Sequence, residues 1–433
     1  MTPPEPGPDS PRQGPADNDT RRLRDRLSSL ALDVRPLRNT VYRRTFLGES
    51  TAVLGVMITE VAVPVQIYDI TKSSFAVGLA GLVGLLPLVF FGLYGGAVAD
   101  TMDRRLVYLA SSLLTWAATV VLVAQAVLDL RSVGLILTLV AVQTAGFAVS
   151  SSLSGAIIPS LVSVDQIPAA NTLTYTASTA GQILGPLVAG VLVGVPHGFA
   201  LAYGADAVLF TAAVYAIFRL PRLPPSGESR RAGARDVLAG LAFIVTRPVL
   251  LVSFSVDIAA MVLAMPRALF PQAAADRFHG GISLLYSAIA VGSIVAGLGS
   301  GWIGRVRRQG RALTFAVLGW SAAVAIAGVV HHLWLVFGLL MLAGAADLVS
   351  AVCRQTILQT YAPEEMRGRM QGVHTVVVDG GPRLGDLRAG TLAATTTLSI
   401  AWSGSAVVCL VLVTVVAFAA RSFWRYEPAV DEQ

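Results

Sequence analysis

The chain has 433 residues, of which 54% are hydrophobic and 13% are charged, and its formal net charge is +6 at pH 7. Soluble domains carry about twice that share of charged residues, so the composition excludes an ordinary soluble protein. Apolar runs of about twenty residues recur along the chain, and each can cross a bilayer core of about 30 Å as a helix. The composition therefore predicts an all-α membrane protein.

The first 45 residues precede any apolar run. They begin with the proline-rich, acidic segment MTPPEPGPDSPRQGPADNDT and end with a basic stretch. The segment is not a secretory signal, because no apolar core follows a basic start. We expect residues 1–45 to form a disordered cytoplasmic tail with a basic juxtamembrane segment.

The apolar runs predict twelve membrane spans. In chain order they cover residues 46–68, 75–99, 106–128, 133–158, 169–194, 198–218, 249–271, 281–304, 312–330, 333–353, 370–397 and 401–421. An arginine-rich loop separates the sixth span from the seventh. The chain thus divides into a six-helix bundle at 46–218, a cytoplasmic linker loop at 219–248, a second bundle at 249–421 and a cytoplasmic tail at 422–433.

Arginine is distributed unevenly between the two sides of the predicted membrane. Most arginines precede the first span or lie in loops on the same side, whereas the other side holds only Lys72, Arg131, Arg267 and Arg277. Positive residues stay in the cytoplasm during insertion, so we expect both termini on the cytoplasmic side of the inner membrane. The arginine excess therefore sets the topology, and no nucleic-acid partner is expected.

Two sequence features recur between the halves. GGAVADTMDRR closes the second span and GSGWIGRVRRQGR closes the eighth, while GQILGPLVAG lies in the fifth span and GGPRLGDLRAG in the eleventh. Each pair joins spans six apart. This recurrence predicts two pseudo-symmetric six-helix bundles related by an axis along the membrane normal.

Four segments carry a resemblance to a known family: AVPVQIYDITKSSFAVGLAG, GGAVADTMDRR, LYSAIAVGSIVAGLGSGWIG and LQTYAPEEMRGRMQG. Over residues 40 to 420 the chain resembles the major facilitator superfamily, in particular the drug-efflux branch that includes the enterobactin exporter. The resemblance implies the twelve-helix major facilitator fold and secondary active transport. It suggests a siderophore-like or antibiotic-like cargo.

The inner loop after the second span resembles the superfamily's gate motif at Gly96, Asp100, Arg104 and Arg105. Glycine allows close helix approach, and Asp100 can pair with an arginine and cap a helix. The resemblance implies a latch that holds the inner gate in the outward-open state. An ordinary positive-inside turn is the alternative interpretation.

The fifth span carries small residues and a proline at Gly181, Gly185, Pro186 and Gly190. They resemble a motif that is associated with antiporters, which favours an exporter. Plain helix packing, with Pro186 bending the helix, is equally compatible with these residues.

The eleventh span carries charges inside an apolar run: Asp379, Arg383, Asp386 and Arg388. At 100° per residue, the first three fall within about 60° of one another on a helix. Gly381 and Gly385 lie on the opposite face, where they can pack, and Arg388 also points that way and is expected to snorkel outward. The three-residue stripe should line a central cavity, because a lipid-facing charge is costly. A structural salt bridge that fixes the helix is the alternative.

Four further acids lie within the predicted spans: Glu60, Asp206, Asp257 and Asp347. Intramembrane acids are candidate proton carriers or partners for a cationic substrate. Glu60 and Asp347 have no basic neighbour within their own spans, so either could pair with Arg383 across the cavity. A structural role is the alternative for each of the four.

Several chemistries are excluded by sequence. Lys72 is the only lysine and follows a threonine, so no Walker A loop exists, and no G-x-S-x-G, H-E-x-x-H or C-x-x-C motif occurs. We therefore predict no enzyme, no cofactor and no metal site. Energy for transport must come from an ion gradient.

The leading hypothesis is a proton-coupled exporter, an antiporter, of a small organic molecule. Its partners would be the substrate, the proton and the lipid bilayer, and we expect a monomer. A proton-coupled symporter for nutrient uptake uses the same fold in the reverse direction. A membrane sensor or scaffold without transport is the third hypothesis.

Overall fold

The computed structural model describes residues 33–101, 103–221, 241–298, 306, 308–361 and 367–424. Within these residues the chain is helical and contains no β-strand. Most of the predicted N-terminal tail, the middle of the predicted linker and most of the predicted C-terminal tail lie outside the described residues.

In the described part of the chain, twelve long helices follow the twelve predicted spans. They are α1 (Thr40–Thr71), α2 (Ser74–Thr101), α3 (Arg104–Val127), α4 (Val133–Ser160), α5 (Ile167–Val193), α6 (Gly198–Phe218), α7 (Pro248–Ala264), α8 (Ile282–Leu298), α9 (Gln309–Ala327), α10 (Leu333–Tyr361), α11 (Arg367–Thr395) and α12 (Ser405–Ala419). Ten apolar helical segments among the described residues are long enough to cross a membrane. The other two are α8, which is shorter, and α11, which carries several charged residues.

The two halves repeat the same packing pattern. In the first half α1 packs against α5 and α6, α3 packs against α4 and α6, and α2 packs against α4. In the second half α7 packs against α11 and α12, α9 packs against α10 and α12, and α8 packs against α10. Each of these five pairs in the first half has its counterpart six helices later. The predicted internal repeat and the two six-helix bundles are confirmed.

Glycine allows the closest of these approaches. A Cβ atom added at Gly344 of α10 would collide with the carbonyl oxygen of Ile289 on α8. A Cβ atom at Gly292 of α8 would collide with the carbonyl oxygen of Met341. The backbones of α8 and α10 therefore touch at both levels, as small residues permit between membrane helices.

The halves meet through α2 against α11 and through α5 against α8. We call the surface between them the seam, and the end of the molecule remote from the termini the distal end. At that end the Ser74 hydroxyl donates to the Gln272 side-chain oxygen at 2.7 Å, and the Tyr68 hydroxyl donates to Asp276 at 3.1 Å. Gly190 of α5 lies against Ser283 at the start of α8. The two halves are thus joined by polar contacts at the distal end.

The predicted seventh span, 249–271, is not one continuous helix. α7 ends at Ala264, and Met265 takes an extended conformation with ψ of 118°. Pro266 follows, and a proline has no N–H to donate and disfavours a helical conformation in the residue before it. The chain then resumes as a short 3-10 turn at Arg267–Leu269 and ends in a π-helical turn at Ala273–Arg277. The break brings Arg267 into the body of the protein.

Substitution of Gly344 by alanine should destabilise the protein by about 1–3 kcal/mol, because the added methyl group forces α10 away from α8. Gly338, on the same helix, has nothing within 4 Å of an added Cβ atom and is the matched control. Its substitution by alanine should leave stability unchanged or raise it, since alanine favours helix. Thermal unfolding of both purified variants in detergent measures the difference, and equal midpoints would contradict the close approach.

Candidate functional site

Glu60 and Arg267 form an ion pair across the seam. Glu60 lies on α1 of the first half, and Arg267 follows the break in the seventh span of the second half. Their Oε1 and Nη1 atoms are 3.7 Å apart, and their side chains are 53% and 40% exposed. The partner of Glu60 is therefore Arg267 rather than the predicted Arg383. Sequence reasoning counted Arg267 among the positive residues of the outer side, near the end of the span 249–271, because it could not foresee that Pro266 interrupts the helix.

Electrostatic interactions connect this ion pair to further charged groups. Arg267 interacts electrostatically with Asp347 of α10 and Asp386 of α11, and Arg383 interacts with Asp379 and Asp386. We call these six groups the seam cluster: Glu60, Asp347, Asp379, Asp386, Arg267 and Arg383. The cluster contains four carboxylates and two guanidinium groups, and Arg388 of α11 also interacts electrostatically with Asp386. Electrostatic interactions thus connect five of the seven residues predicted for a cavity, together with Arg267, and the central cavity itself stays a prediction.

Asp386 caps the segment that follows the break. Its Oδ1 atom accepts a hydrogen bond at 3.1 Å from the backbone N–H of Ala268. The first N–H groups of a helical segment have no partner within it and form its positive end. A carboxylate from a neighbouring helix therefore stabilises the start of the Arg267–Leu269 turn.

Arg388 caps the other side of the same break. Its guanidinium donates to the carbonyl oxygens of Val262 at 2.9 Å and Met265 at 3.4 Å, at the end of α7. It also donates to the carbonyl oxygen of Ala401 at 3.2 Å. The expectation that Arg388 snorkels outward is wrong. The side chain is half-buried, because the interrupted helix leaves carbonyl groups that need a donor.

The charged stripe of α11 faces α2. A Cβ atom added at Gly81 of α2 would contact both Arg383 and Asp386, and the Arg383 guanidinium lies directly against Gly84. Gly381 and Gly385 pack against Met261 of α7 instead. The predicted separation of α11 into a charged face and a glycine face is therefore confirmed for Arg383 and Asp386. Asp379 is exposed.

Asp257 does not belong to the seam cluster. It forms an ion pair with Arg354 of α10, and both side chains are 4% exposed. His374 of α11 lies nearby and packs edge-on against Phe254, with ring centroids 6.3 Å apart. Sequence reasoning missed Arg354 because the tenth span was predicted to end at residue 353, whereas α10 continues to Tyr361. The buried pair fits the structural interpretation of Asp257.

Asp206 also lies inside one half. Its Oδ2 atom accepts hydrogen bonds from the hydroxyls of Thr59 at 2.6 Å and Thr119 at 3.5 Å. These contacts join α6 to α1 and α3, so Asp206 helps to hold the first bundle together.

A half-buried acid that sequence reasoning missed is Glu49. It accepts hydrogen bonds from the Tyr108 hydroxyl at 2.6 Å and the Ser154 hydroxyl at 2.8 Å. Its position within the predicted first span, residues 46–68, could have identified it as an intramembrane acid. Glu49 connects α1 to α3 and α4 in the half of the bundle nearer the termini.

The predicted gate motif is described in part. The side chains of Gly96 and Asp100 lie outside the described part of the structure, so the predicted latch stays a prediction. Arg104 begins α3, and the Asp103 carboxylate caps that helix by accepting from the backbone N–H of Arg105 at 2.9 Å. The Arg105 guanidinium donates to the carbonyl oxygen of Phe218 at the end of α6. Arg105 therefore joins α3 to α6 at the end near the termini.

The small residues of α5 face two different helices. Gly181 and Gly185 lie against Val53 and Met57 of α1, while Gly190 faces α8 across the seam. Pro186 is buried within α5. These contacts fit the packing interpretation, and the antiporter interpretation stays a prediction.

Comparison with known proteins places this architecture in a family. The family of transmembrane secretion effectors matches residues 31–427. The enterobactin exporters EntS of Shigella boydii serotype 18 and Escherichia coli O81 are each 30% identical over 413 residues, covering 90% of this chain and 94% of the exporter. The chain belongs to the transmembrane secretion effector family, within the major facilitator superfamily.

Solved structures share the fold of this protein. The nucleoside transporter NupG (D323A mutant) is 12% identical with a TM-score of 0.71, covering 89% of this chain and 100% of NupG. A bacterial homologue of the lysosomal transporter Spinster is 14% identical with a TM-score of 0.67, covering 91% of this chain and 100% of the homologue. These two structures show the fold, while the family match and the exporter relatives make the protein a secondary transporter of small molecules. Within its described residues, no group of three or more His, Cys, Asp or Glu could hold a metal ion.

Substitution of Arg388 by methionine should destabilise the protein by about 2–4 kcal/mol, because the carbonyl groups at the helix break lose their charged donor. Arg388→Lys should recover part of the loss. Arg131, an exposed arginine near the distal end, is the control, and Arg131→Met should stay within about 0.5 kcal/mol of wild type. Thermal unfolding in detergent measures these differences. If Arg388→Met unfolds at the same midpoint temperature as the wild type, Arg388 does not stabilise the protein by capping the helix break.

Proposed function

We propose that the protein is a proton-coupled exporter, an antiporter, of a small organic molecule that resembles a siderophore or an antibiotic. The observation that carries this proposal is its 30% identity, over 90% of the chain, to proteins named as enterobactin exporters. The charged seam cluster supports ion coupling, because charges inside the membrane normally mark transport pathways.

The direction of opening follows from the contacts at the distal end. We propose that both termini are cytoplasmic, as the arginine distribution predicts, so that the distal end faces outward. With the bundles joined at the distal end, we propose that the seam opens toward the cytoplasm at its other end. Cargo enters there, from the cytoplasm or the inner leaflet, and reaches the seam cluster. We further propose that the monomer, with its two bundles at 46–218 and 249–421, is the transporting unit.

Coupling acts through the ion pair between Glu60 and Arg267. Protonation of Glu60 removes one partner, so the attraction that joins the halves at this level is lost. Carboxylates exceed guanidinium groups in the described seam cluster, so a proton or a positively polarised group of the cargo is needed to offset the excess negative charge. Proton and cargo then compete for the same carboxylates, which is the condition for exchange. One charge that crosses 100 mV supplies about 2.3 kcal/mol.

Transport by inside-out membrane vesicles tests the direction and the coupling. A growth and efflux panel with siderophores, macrolides and tetracyclines, on a strain that lacks the protein, first identifies a labelled cargo. We expect vesicles with an acidic lumen to accumulate that cargo and a protonophore to abolish the accumulation. Accumulation that survives collapse of the pH gradient would refute proton coupling. Proton-driven uptake into right-side-out vesicles would instead establish a nutrient symporter.

Glu60→Gln should reduce gradient-driven accumulation at least about tenfold, because the amide cannot exchange a proton. Cargo binding should persist, since the amide keeps the shape and the hydrogen-bonding capacity of the side chain. Asp69 lies on the same helix, where it pairs with Lys72 at 2.9 Å and Arg131 at 3.4 Å, and both partners are exposed. Asp69→Asn is therefore the control and should transport like wild type. Normal gradient-driven transport by Glu60→Gln would exclude Glu60 as the coupling acid.

A further inference from the structure

A cavity of about 470 Å³ lies between α9 and α10, away from the seam cluster. Most of its lining is apolar and comes from Ala312, Phe315, Ala316, Ala346 and Val349. Phe315 is 61% exposed, so the cavity lies at the outer surface of the second half. A groove of this composition suits a hydrocarbon chain rather than water.

Two arginines line the same cavity at the end of α9 near the termini. Arg308 directly precedes α9 and is exposed, while the Nε atom of Arg311 is buried and has no hydrogen-bond partner in the described structure. Arg308 and Ala316 are eight residues apart along the helix, which is about 12 Å at 1.5 Å per residue. The residues that line the cavity therefore change from two arginines at its end near the termini to apolar side chains further along α9.

Trp424 lies next to Arg311 at this end of the cavity and indicates the level of the membrane surface. The ring of Trp424 lies 5.2 Å from the Arg311 guanidinium carbon and 5.5 Å from the ring of Phe315. Tryptophan and arginine concentrate where headgroups meet hydrocarbon. The charged part of the cavity thus lies at headgroup level and the apolar part at acyl-chain level.

We propose that this cavity binds one anionic phospholipid, with its phosphate at Arg308 and Arg311 and an acyl chain along α9 and α10. Paired arginines complement a phosphate, and basic pockets between membrane helices are suited to anionic headgroups. The acidic chain end after Trp424 supplies charge but few apolar side chains, so it does not match the apolar interior of the cavity. The inference is independent of the transported cargo.

Native mass spectrometry of the full-length protein, titrated with phosphatidylglycerol or phosphatidylcholine of the same acyl chains, tests the proposal. We expect phosphatidylglycerol to bind the wild type more tightly than phosphatidylcholine. Arg308→Gln with Arg311→Gln should weaken that binding about thirtyfold, which corresponds to roughly 1 kcal/mol for each arginine. Glycerol phosphate without acyl chains should not compete at equal concentration. Arg131→Gln, which removes an exposed arginine near the distal end, is the control and should bind like wild type.

Ala312→Phe provides a second variant that keeps both arginines and fills the groove. It should also lose selective binding of phosphatidylglycerol, and unchanged transport would show that the fold is intact. Equal binding of the two lipids, wild-type binding by both variants, or an equal loss in Arg131→Gln would overturn the proposal. Competition by glycerol phosphate alone would likewise overturn it in favour of a free-phosphate site.

Discussion

An isolated charge at the centre of a bilayer costs at least about 2.5–3.5 kcal/mol, so a chain that carries charges inside its spans must supply partners for them. Here the partners come from other helices. Asp257 is paired with Arg354 inside the second half, and Asp206 accepts hydrogen bonds from threonines inside the first. The pair between Glu60 and Arg267 differs because it joins the two halves and is partly exposed. In the proposed mechanism it is the contact that a proton or a cargo molecule reaches and disrupts.

The interrupted seventh helix makes this contact possible. Pro266 ends α7 within the span, and the chain needs new partners for the backbone groups on both sides of the break. α11 supplies them, with Asp386 on the N–H side and Arg388 on the carbonyl side. The same helix thus positions the segment that carries Arg267 and contributes Asp386 to the seam cluster. A movement of α11 would therefore change the distance between Glu60 and Arg267, the ion pair that joins the halves.

Much of the architecture could be predicted from the sequence, because apolar length and arginine distribution report directly on the membrane. The twelve spans, the internal repeat and the two faces of α11 all follow from such local patterns. The pairing of charges could not be predicted in the same way. Glu60 and Arg267 are far apart in sequence, and the position of Arg267 depends on a proline whose effect on the helix is only a tendency. Arg354 was missed because it lies just beyond the apolar run of the tenth span, in the last two turns of α10.

The central claim is that the ion pair between Glu60 and Arg267 helps to keep the halves together at the distal end. Spin labels at positions 130 and 332, in loops of the first and second halves at that end, report their separation by pulsed electron paramagnetic resonance. At neutral pH we predict a single short distance in the wild type, a shift to longer distances in Glu60→Gln, and recovery of the short distance in the charge-exchanged protein Glu60→Arg with Arg267→Glu. Identical distance distributions in the wild type and Glu60→Gln would contradict the claim.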